Sequence, residues 1–397
     1  MRVYYGWVIV AVGIVVSCIG IGTMMSLSVF LQPVSAAMGW SRAGVSAASM
    51  LAFLCLGVSS FLWGAASDRY GTRAVVVAGG ALLGIGLAAA SQAATLWQFQ
   101  LLFGAIVGTA AGSSYAPLIA VTTNWFTRHR SLAVALVSVG AGIGSITVAP
   151  FATWLIIGHG WRTAMLALGG VAWIVVAPAA LLLRRPPALS DNPRSAVHAD
   201  ADLSVSQALR TPQFAAIAFT YFACCAAHSG PIFHMVSYAM VCGAPPLVAT
   251  TVFSMAGLGG LAGRIALGLL ADRVGAKQVL VAGLAAQAVA IILYNFTREI
   301  ASLYALSLFF GFAYGGVMPL YAILIRQYFG ARIMGAAFGA ATMVSALGMA
   351  IGPLAGGWIF DEFASYTWLY TGSFAIALGA LAIAITFRPP RQAWAPA

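Results

Sequence analysis

Residues Gly257 to Lys277 read GLGGLAGRIALGLLADRVGAK, an apolar, glycine-rich run in which one cation, Arg264, stands apart from the charged exit at Asp272 and Arg273. At about 1.5 Å of rise per residue, Arg264 lies roughly 12 Å inside that exit if the run is helical. This is close to the midplane of a hydrocarbon core about 30 Å thick. A cation at such depth is unfavourable by on the order of 3 kcal/mol or more, so it normally faces a protein interior or an aqueous cavity and marks a ligand path. The alternative is a guanidinium satisfied by backbone carbonyls for packing alone. Gly257, Gly260 and Gly268 share its helical face at i−7, i−4 and i+4,. They leave room for another helix or a cavity, where a planar, permanently charged guanidinium can grip a carboxylate through two parallel hydrogen bonds.

The rest of the composition agrees with a membrane setting. Hydrophobic residues make up 62% of the 397 residues, charged residues only 7%, and the mean hydropathy is +0.96. No soluble fold hides that much apolar surface, so the chain is read as an all-α, polytopic membrane protein. The net charge of +11 would suggest a nucleic-acid partner in a soluble protein, but its distribution argues for a lipid bilayer instead. With the N-terminus placed in the cytoplasm, fifteen basic residues collect on the cytoplasmic side and only Arg42, Arg162 and Arg298 fall opposite. That asymmetry satisfies the positive-inside rule and predicts a multi-pass protein of the cell (inner or plasma) membrane with both termini cytoplasmic. Cys18, Cys55, Cys224, Cys225 and Cys242 have no ligand or disulfide spacing and are read as small packing residues,. The apolar run from residue 7 is too long for a signal peptide and is taken as the first span.

Twelve spans are predicted, at 7–32, 44–66, 74–92, 96–123, 131–157, 163–183, 213–241, 248–270, 277–296, 300–326, 333–359 and 367–387,. They group as a six-helix bundle over 1–183, a polar cytoplasmic linker over 184–211, a second bundle over 212–388 and a tail over 389–397. The two bundles repeat each other. Gly64-x3-Asp68-Arg69-x-Gly71-x-Arg73 returns as Gly268-x3-Asp272-Arg273-x-Gly275-x-Lys277, an offset of 204. Tyr115-Ala-Pro117 returns as Val317-Met-Pro319, Trp125-Phe126 with Arg128 as Tyr328-Phe329 with Arg332, and Ala149-Pro150 as Gly352-Pro353. A parallel duplication follows, and carriers built in this way bind substrate near the midplane between their halves. Gly140-x-Gly142-x-Gly144 lies inside an apolar span with no preceding strand, so it is read as a helix-packing series rather than a phosphate loop. No zinc, nucleophile-elbow or phosphate-loop motif is found, so no metal, cofactor or enzymatic activity is expected.

The paired GxxxDRxGx[RK] loops resemble the signature loop of the major facilitator superfamily. Within it the chain resembles the monocarboxylate transporters and their bacterial relatives, including the oxalate:formate antiporters. The residues that carry this likeness are Tyr5-Gly6-Trp7, Val29-Phe30, Gly39-Trp40-Ser41-Arg42, the run from Asn124 to Arg130, Gly160-Trp161-Arg162, and Gly263-Arg264 followed by Gly268 and Asp272. The resemblance implies twelve helices in two pseudo-symmetric six-helix bundles, with Arg264 as the arginine that pairs with the carboxylate of the transported anion. It also implies that Tyr115 and Tyr314 are cavity tyrosines; as buried phenols they can instead hold structural partners. Asp68, Arg69 and Arg73 with Asp272, Arg273 and Lys277 become a charge network that shuts the cytoplasmic side; the alternative is that the cations only anchor topology.

The chain also departs from that pattern. The group's first-helix lysine and the aspartate one turn before its arginine align with Met25 and Gly260, and residues 335–360 hold no second cation. One fixed positive charge suits one carboxylate. His228 and His234 are candidate proton carriers, since an imidazole titrates near neutrality; alternatively they hydrogen-bond neighbouring helices. Gly230-Pro231 between them is expected to break the seventh helix. Met25 and Ser345 are further candidate lining positions.

The leading expectation is a monomeric secondary carrier of a small organic monocarboxylate working by alternating access, as a proton symporter or an anion exchanger. An efflux carrier for a larger or drug-like anion, and a non-transporting sensor of the same fold, are the alternatives.

Overall fold

The computed structural model describes residues 4–126, 130–184, 204–329 and 333–387. Most of the polar linker, the tail, Arg128 and Arg332 lie outside the described residues, as do the side chains of Asp68 and Asp272. Every element among the described residues is helical, as a chain in lipid requires if its backbone polar groups are to be satisfied internally. The crossings are α1 (Tyr5–Met25, continued after Ser26 by Leu27–Met38), α2 (Arg42–Tyr70), α3 (Thr72–Ser91) and α4 (residues 96–125, interrupted around Ser113 to Tyr115). Next, Arg130–Val171 is one helical stretch except at Gly160, whose φ of 80° and ψ of 164° turn the chain and separate α5 from α6. The second bundle is α7 (Pro212–Val241), α8 (Pro246–Val274), α9 (Ala276–Leu293), α10 (Ile300–Phe329), α11 (Met334–Phe363) and α12 (Thr367–Ile385). Eleven described helices are long and apolar enough to cross a membrane, and Leu136–Leu181 counts as two crossings because it contains the Gly160 turn.

The duplication is written in the backbone as well as in the side chains. Among the described residues, those at positive φ are Gly39, Gly71, Gly160, Gly243, Gly275 and Ala364. They pair at the same offset of 204, as 39 with 243, 71 with 275 and 160 with 364. In the two signature loops the glycine closes one helix and opens the next with nearly the same geometry, φ 91° and ψ 146° at Gly71 against φ 105° and ψ 139° at Gly275. An L-residue is strained at such a φ, so Gly71→Ala and Gly275→Ala are each expected to destabilise the purified protein by about 1 kcal/mol or more, read as a lowered midpoint of thermal unfolding. The cations that follow also match. Arg73 Nε donates to Leu183 O at 3.0 Å, and Lys277 Nζ donates to Phe387 O at 2.5 Å, each satisfying a carbonyl at the end of its own bundle's last helix.

Small residues let helices meet backbone to backbone. A Cβ on Gly108 of α4 would stand 2.5 Å from Ala52 O of α2, and one on Gly311 of α10 would stand 2.0 Å from Ala256 O of α8. The glycine series of α5 packs as expected, Gly140 and Gly144 lying against Ile14 O and Gly22 of α1.

The two bundles touch mainly along two seams, α5 with α8 and α2 with α11, with a smaller contact between the Leu27–Met38 part of α1 and α7. Both seams are closed on the far side, opposite the start of α1 and the end of α12. Along α5/α8 the Thr153 and Thr250 hydroxyls meet at 2.8 Å, Ser254 Oγ donates to Ser145 O at 2.9 Å, and Gly142 lies under Leu261. Among the described residues the last contact is at Arg264. One turn on, a Cβ at Gly268 would meet nothing within 4 Å. Along α2/α11, Gly357 lies against Arg42 and Ala43, and Gly57 stands 3.5 Å from Ala346 by the same measure, whereas Gly64 and Gly339 meet nothing. The bundles therefore diverge toward the side that carries the chain termini.

One expectation is corrected here. Pro231 does not break α7, which runs as one helix from Pro212 to Val241. Gly230 sits against Gly352 of α11, and Ser229 Oγ donates to Gly348 O at 3.1 Å. Packing against α11 beside the proline keeps the helix intact although one backbone hydrogen bond is missing.

Candidate functional site

Arg264 ends the closed part of the α5/α8 seam and begins the opening. Its side chain is half-buried, and Nη1 donates to Ser138 O of the opposite bundle at 3.0 Å. The carbonyl supplies partial compensation for the charge, and the guanidinium keeps further donors available. Gly260, one turn earlier, fixes what can approach: a Cβ there would stand 4.0 Å from the Tyr314 hydroxyl. That hydroxyl therefore lies over the glycine one turn from the guanidinium. Its position follows from the α8/α10 contact, where Gly259, Gly263, Gly311 and Gly315 bring the two backbones together.

His228 of α7 completes this layer. Its ring stacks on Tyr314 with centroids 4.9 Å apart and an interplanar angle of 23°. Nδ1 lies 2.7 Å from Cys224 O, so Nδ1 carries the proton in the neutral ring and Nε2 is left as an acceptor, or as a second donor once protonated. Three helices of one bundle thus supply a fixed cation, Arg264, and a phenol and an imidazole in ring contact, Tyr314 and His228.

The other candidates are distributed differently. Tyr115 sits at the interruption of α4 in the first bundle and is 37% exposed. Ser345 is buried in α11 with its hydroxyl on Thr342 O at 2.8 Å. Met25 lines a small apolar cavity with Phe53, Ile232, Phe233, Phe253 and Met349. Because Phe253 lies three helical turns from Arg264 toward the far side, these side chains form a plug between the site and that face. His234 is held away from Arg264, with Nε2 2.8 Å from Pro353 O and Nδ1 3.2 Å from the Tyr366 hydroxyl. It takes the hydrogen-bonding role offered as the alternative. Arg69 is exposed with its guanidinium 5.3 Å from the Tyr70 ring, and Arg273 is exposed. Among the described residues these cations do not meet across the bundles.

Two participants carried no readable signal. Ser138 acts through its main-chain oxygen, which every residue has. Asp361, whose carboxylate accepts from the Arg42 and Ala43 N–H groups at 3.0 and 2.7 Å, is more than 300 residues from its partners. Its one mark in the sequence is rarity, since the chain has only eight acidic residues.

Among the described residues, two duplicated six-helix bundles, closed on one face and parted on the other with Arg264 where they part, define a two-bundle membrane transporter. The chain belongs to the Major Facilitator Superfamily, whose family model matches residues 12–273 and 242–397. It is similar to Monocarboxylate transporter 13 of Bos taurus, with 28% identity over 377 residues covering 94% of this chain and 87% of that protein. It is also similar to Monocarboxylate transporter 11 of Mus musculus, with 30% identity over 372 residues covering 90% and 82%. A bacterial relative is the uncharacterized MFS-type transporter YhjX of Escherichia coli strain K12, 24% identical over 350 residues covering 86% and 85%. Among solved structures, a bacterial homologue of the human lysosomal transporter Spinster, in an inward-facing and occupied conformation, superposes with a TM-score of 0.77. It is 15% identical, with 97% of each chain covered, and that likeness concerns the fold. The family is one of transporters rather than enzymes.

Proposed function

We propose that this chain is a secondary carrier of a small organic monocarboxylate, the size of lactate or pyruvate, working by alternating access as a proton symporter or an anion exchanger. The observation that carries the reading is the placement of the Arg264 guanidinium at the inner end of the opening between the bundles. The names of the relatives, monocarboxylate transporters in several vertebrates, support the substrate class. In this reading a carboxylate entering the opening displaces Ser138 O from Arg264 and takes a two-point grip on the fork. Tyr314 and His228 then bond the anion's remaining oxygens, the aromatic faces fix its size, and Tyr115 contributes from the facing bundle. Met25 belongs to the far-side plug, and Ser345 lines the path on α11. The loaded site is a neutral pair, which crosses a water-free occluded state more readily than a bare cation. The termini face the cytoplasm of a cell (inner or plasma) membrane, so the opening described here is the inward one. Asp68, Arg69 and Arg73 with Asp272, Arg273 and Lys277 close that face when the bundles rock, and the carrier works as a monomer.

Competition in proteoliposomes tests the match of charge. Small monocarboxylates are expected to inhibit uptake of labelled lactate, with dicarboxylates of equal length at least about tenfold weaker, since an unpaired second carboxylate loses upward of 1.4 kcal/mol. Equal inhibition by both classes would contradict the single-charge site.

A further inference from the structure

The far-side end of the α2/α11 seam is held by more than packing. Ser41 caps α2 by accepting from Gly44 N at 3.0 Å, which leaves the N–H groups of Arg42 and Ala43 without helical acceptors. Both are taken by Asp361 of the other bundle, Oδ1 from Arg42 N at 3.0 Å and Oδ2 from Ala43 N at 2.7 Å. The carboxylate therefore sits at the positive end of a helix to which it does not belong. The Arg42 side chain reaches back across the seam. Its guanidinium lies 3.7 Å from the Phe360 ring centroid, and Nη1 donates to the Tyr366 hydroxyl at 2.8 Å,. Tyr366 donates in turn to His234 Nδ1 at 3.2 Å, and His234 Nε2–H donates to Pro353 O at 2.8 Å. Each link in this chain pairs a donor with an acceptor, and α11 and the residue that opens α12, backed by α7, hold the first turn of α2.

The fold's internal symmetry does not supply this arrangement. At the offset of 204, Asp361 corresponds to Ile157 and Arg42 to Pro246, neither of which can play its partner's part. The related α5/α8 seam closes instead through the neutral pair Thr153 and Thr250. The charged contact is an addition to one seam, placed where the bundles must part if the far side is to open.

We propose that Asp361, with Arg42, Tyr366 and His234, is a latch that holds the far side shut and sets the resting preference for opening on the terminal side. The proposal rests on the alternating-access reading. It predicts that Asp361 leaves the α2 terminus once in every cycle, and that weakening it shifts the carrier toward the far-side-open state without touching the Arg264 layer.

The test uses the full chain in right-side-out and inverted membrane vesicles, labelled with a membrane-impermeant maleimide. Ser28→Cys reports on the far-side cavity and Gly268→Cys on the terminal-side opening, each read against the parent chain with its five native cysteines. Asp361→Ala is expected to raise Ser28→Cys labelling by about fivefold or more, the low end of ordinary coupling between sites, and to lower Gly268→Cys labelling. Arg42→Ala, which spares the carboxylate on the main-chain N–H groups, shifts both in the same directions by less. Asp361→Asn, close in shape, gives an intermediate shift and guards against misfolding of the alanine variant. A general loosening raises both labels, and that result overturns the latch. If lactate shifts labelling in the parent background while all three variants stay at its resting values, the latch falls and alternating access stands. If neither lactate nor any variant moves either label, both fall.

Discussion

Replacing Arg264 by lysine is expected to lower carboxylate uptake by about a hundredfold, although the charge is kept; at about 1.4 kcal/mol per factor of ten this is roughly 2.8 kcal/mol. The guanidinium already donates to Ser138 O across the seam at 3.0 Å. Its planar fork has further N–H groups to offer a carboxylate in parallel, whereas an ammonium is a compact point charge whose three donors diverge and cannot present a parallel pair. Nor does the surrounding surface favour a moving head group, because Gly260 leaves the space in front of the guanidinium to the Tyr314 hydroxyl. Arg264→Gln removes the charge as well, and a loss on the order of a thousandfold follows from leaving a carboxylate unpaired in a closed site. Initial rates of labelled lactate uptake into proteoliposomes, normalised to incorporated protein, measure both. Uptake by Arg264→Lys within threefold of the parent would mean that charge alone is used.

A second large effect concerns net flux. An empty carrier returning across the membrane must pass through an occluded state with Arg264 held by a main-chain carbonyl and no anion, while a loaded carrier buries a neutral pair. Burying a lone charge is far less favourable than burying a hydrogen-bonded pair, so exchange of labelled for unlabelled acid is expected to outrun net efflux by about tenfold or more. The gap narrows if a proton travels with the anion and returns with the empty site; His228 Nε2, beside Tyr314, is the position from which it would be carried. Equal rates of counterflow and net efflux, with no imposed pH gradient, would show that the unpaired arginine does not limit the return step.

The fold was legible because duplication leaves marks at many positions at once. The paired GxxxDRxGx[RK] loops predict the matched turns at Gly71 and Gly275, and the same offset accounts for the Gly39 and Gly243 turns without any shared local motif. Arg264 was legible for a different reason, since a cation far from both ends of an apolar run is unfavourable unless something needs it. What the sequence concealed depends on partners distant along the chain or on backbone atoms. Proline normally interrupts a helix, yet α7 continues through Pro231 because α11 packs against Ser229 and Gly230. His234 carries the same imidazole as His228, six residues away. One ring stacks beside the arginine layer and the other is tied to Tyr366 and Pro353, and no local pattern distinguishes them. The Asp361 contact with α2 joins residues from opposite bundles, and the offset that explains the turns is silent about it.

The account's central claim is that Arg264 receives a small carboxylate at the point where the bundles part. Thermal unfolding of the purified protein across a lactate titration tests this without requiring turnover, because a ligand present at a hundred times its Kd stabilises the state that binds it by about 2.7 kcal/mol. A concentration-dependent rise in Tm for the parent protein, absent in Arg264→Gln of equal starting stability, is the predicted result. The same rise in both proteins would contradict it.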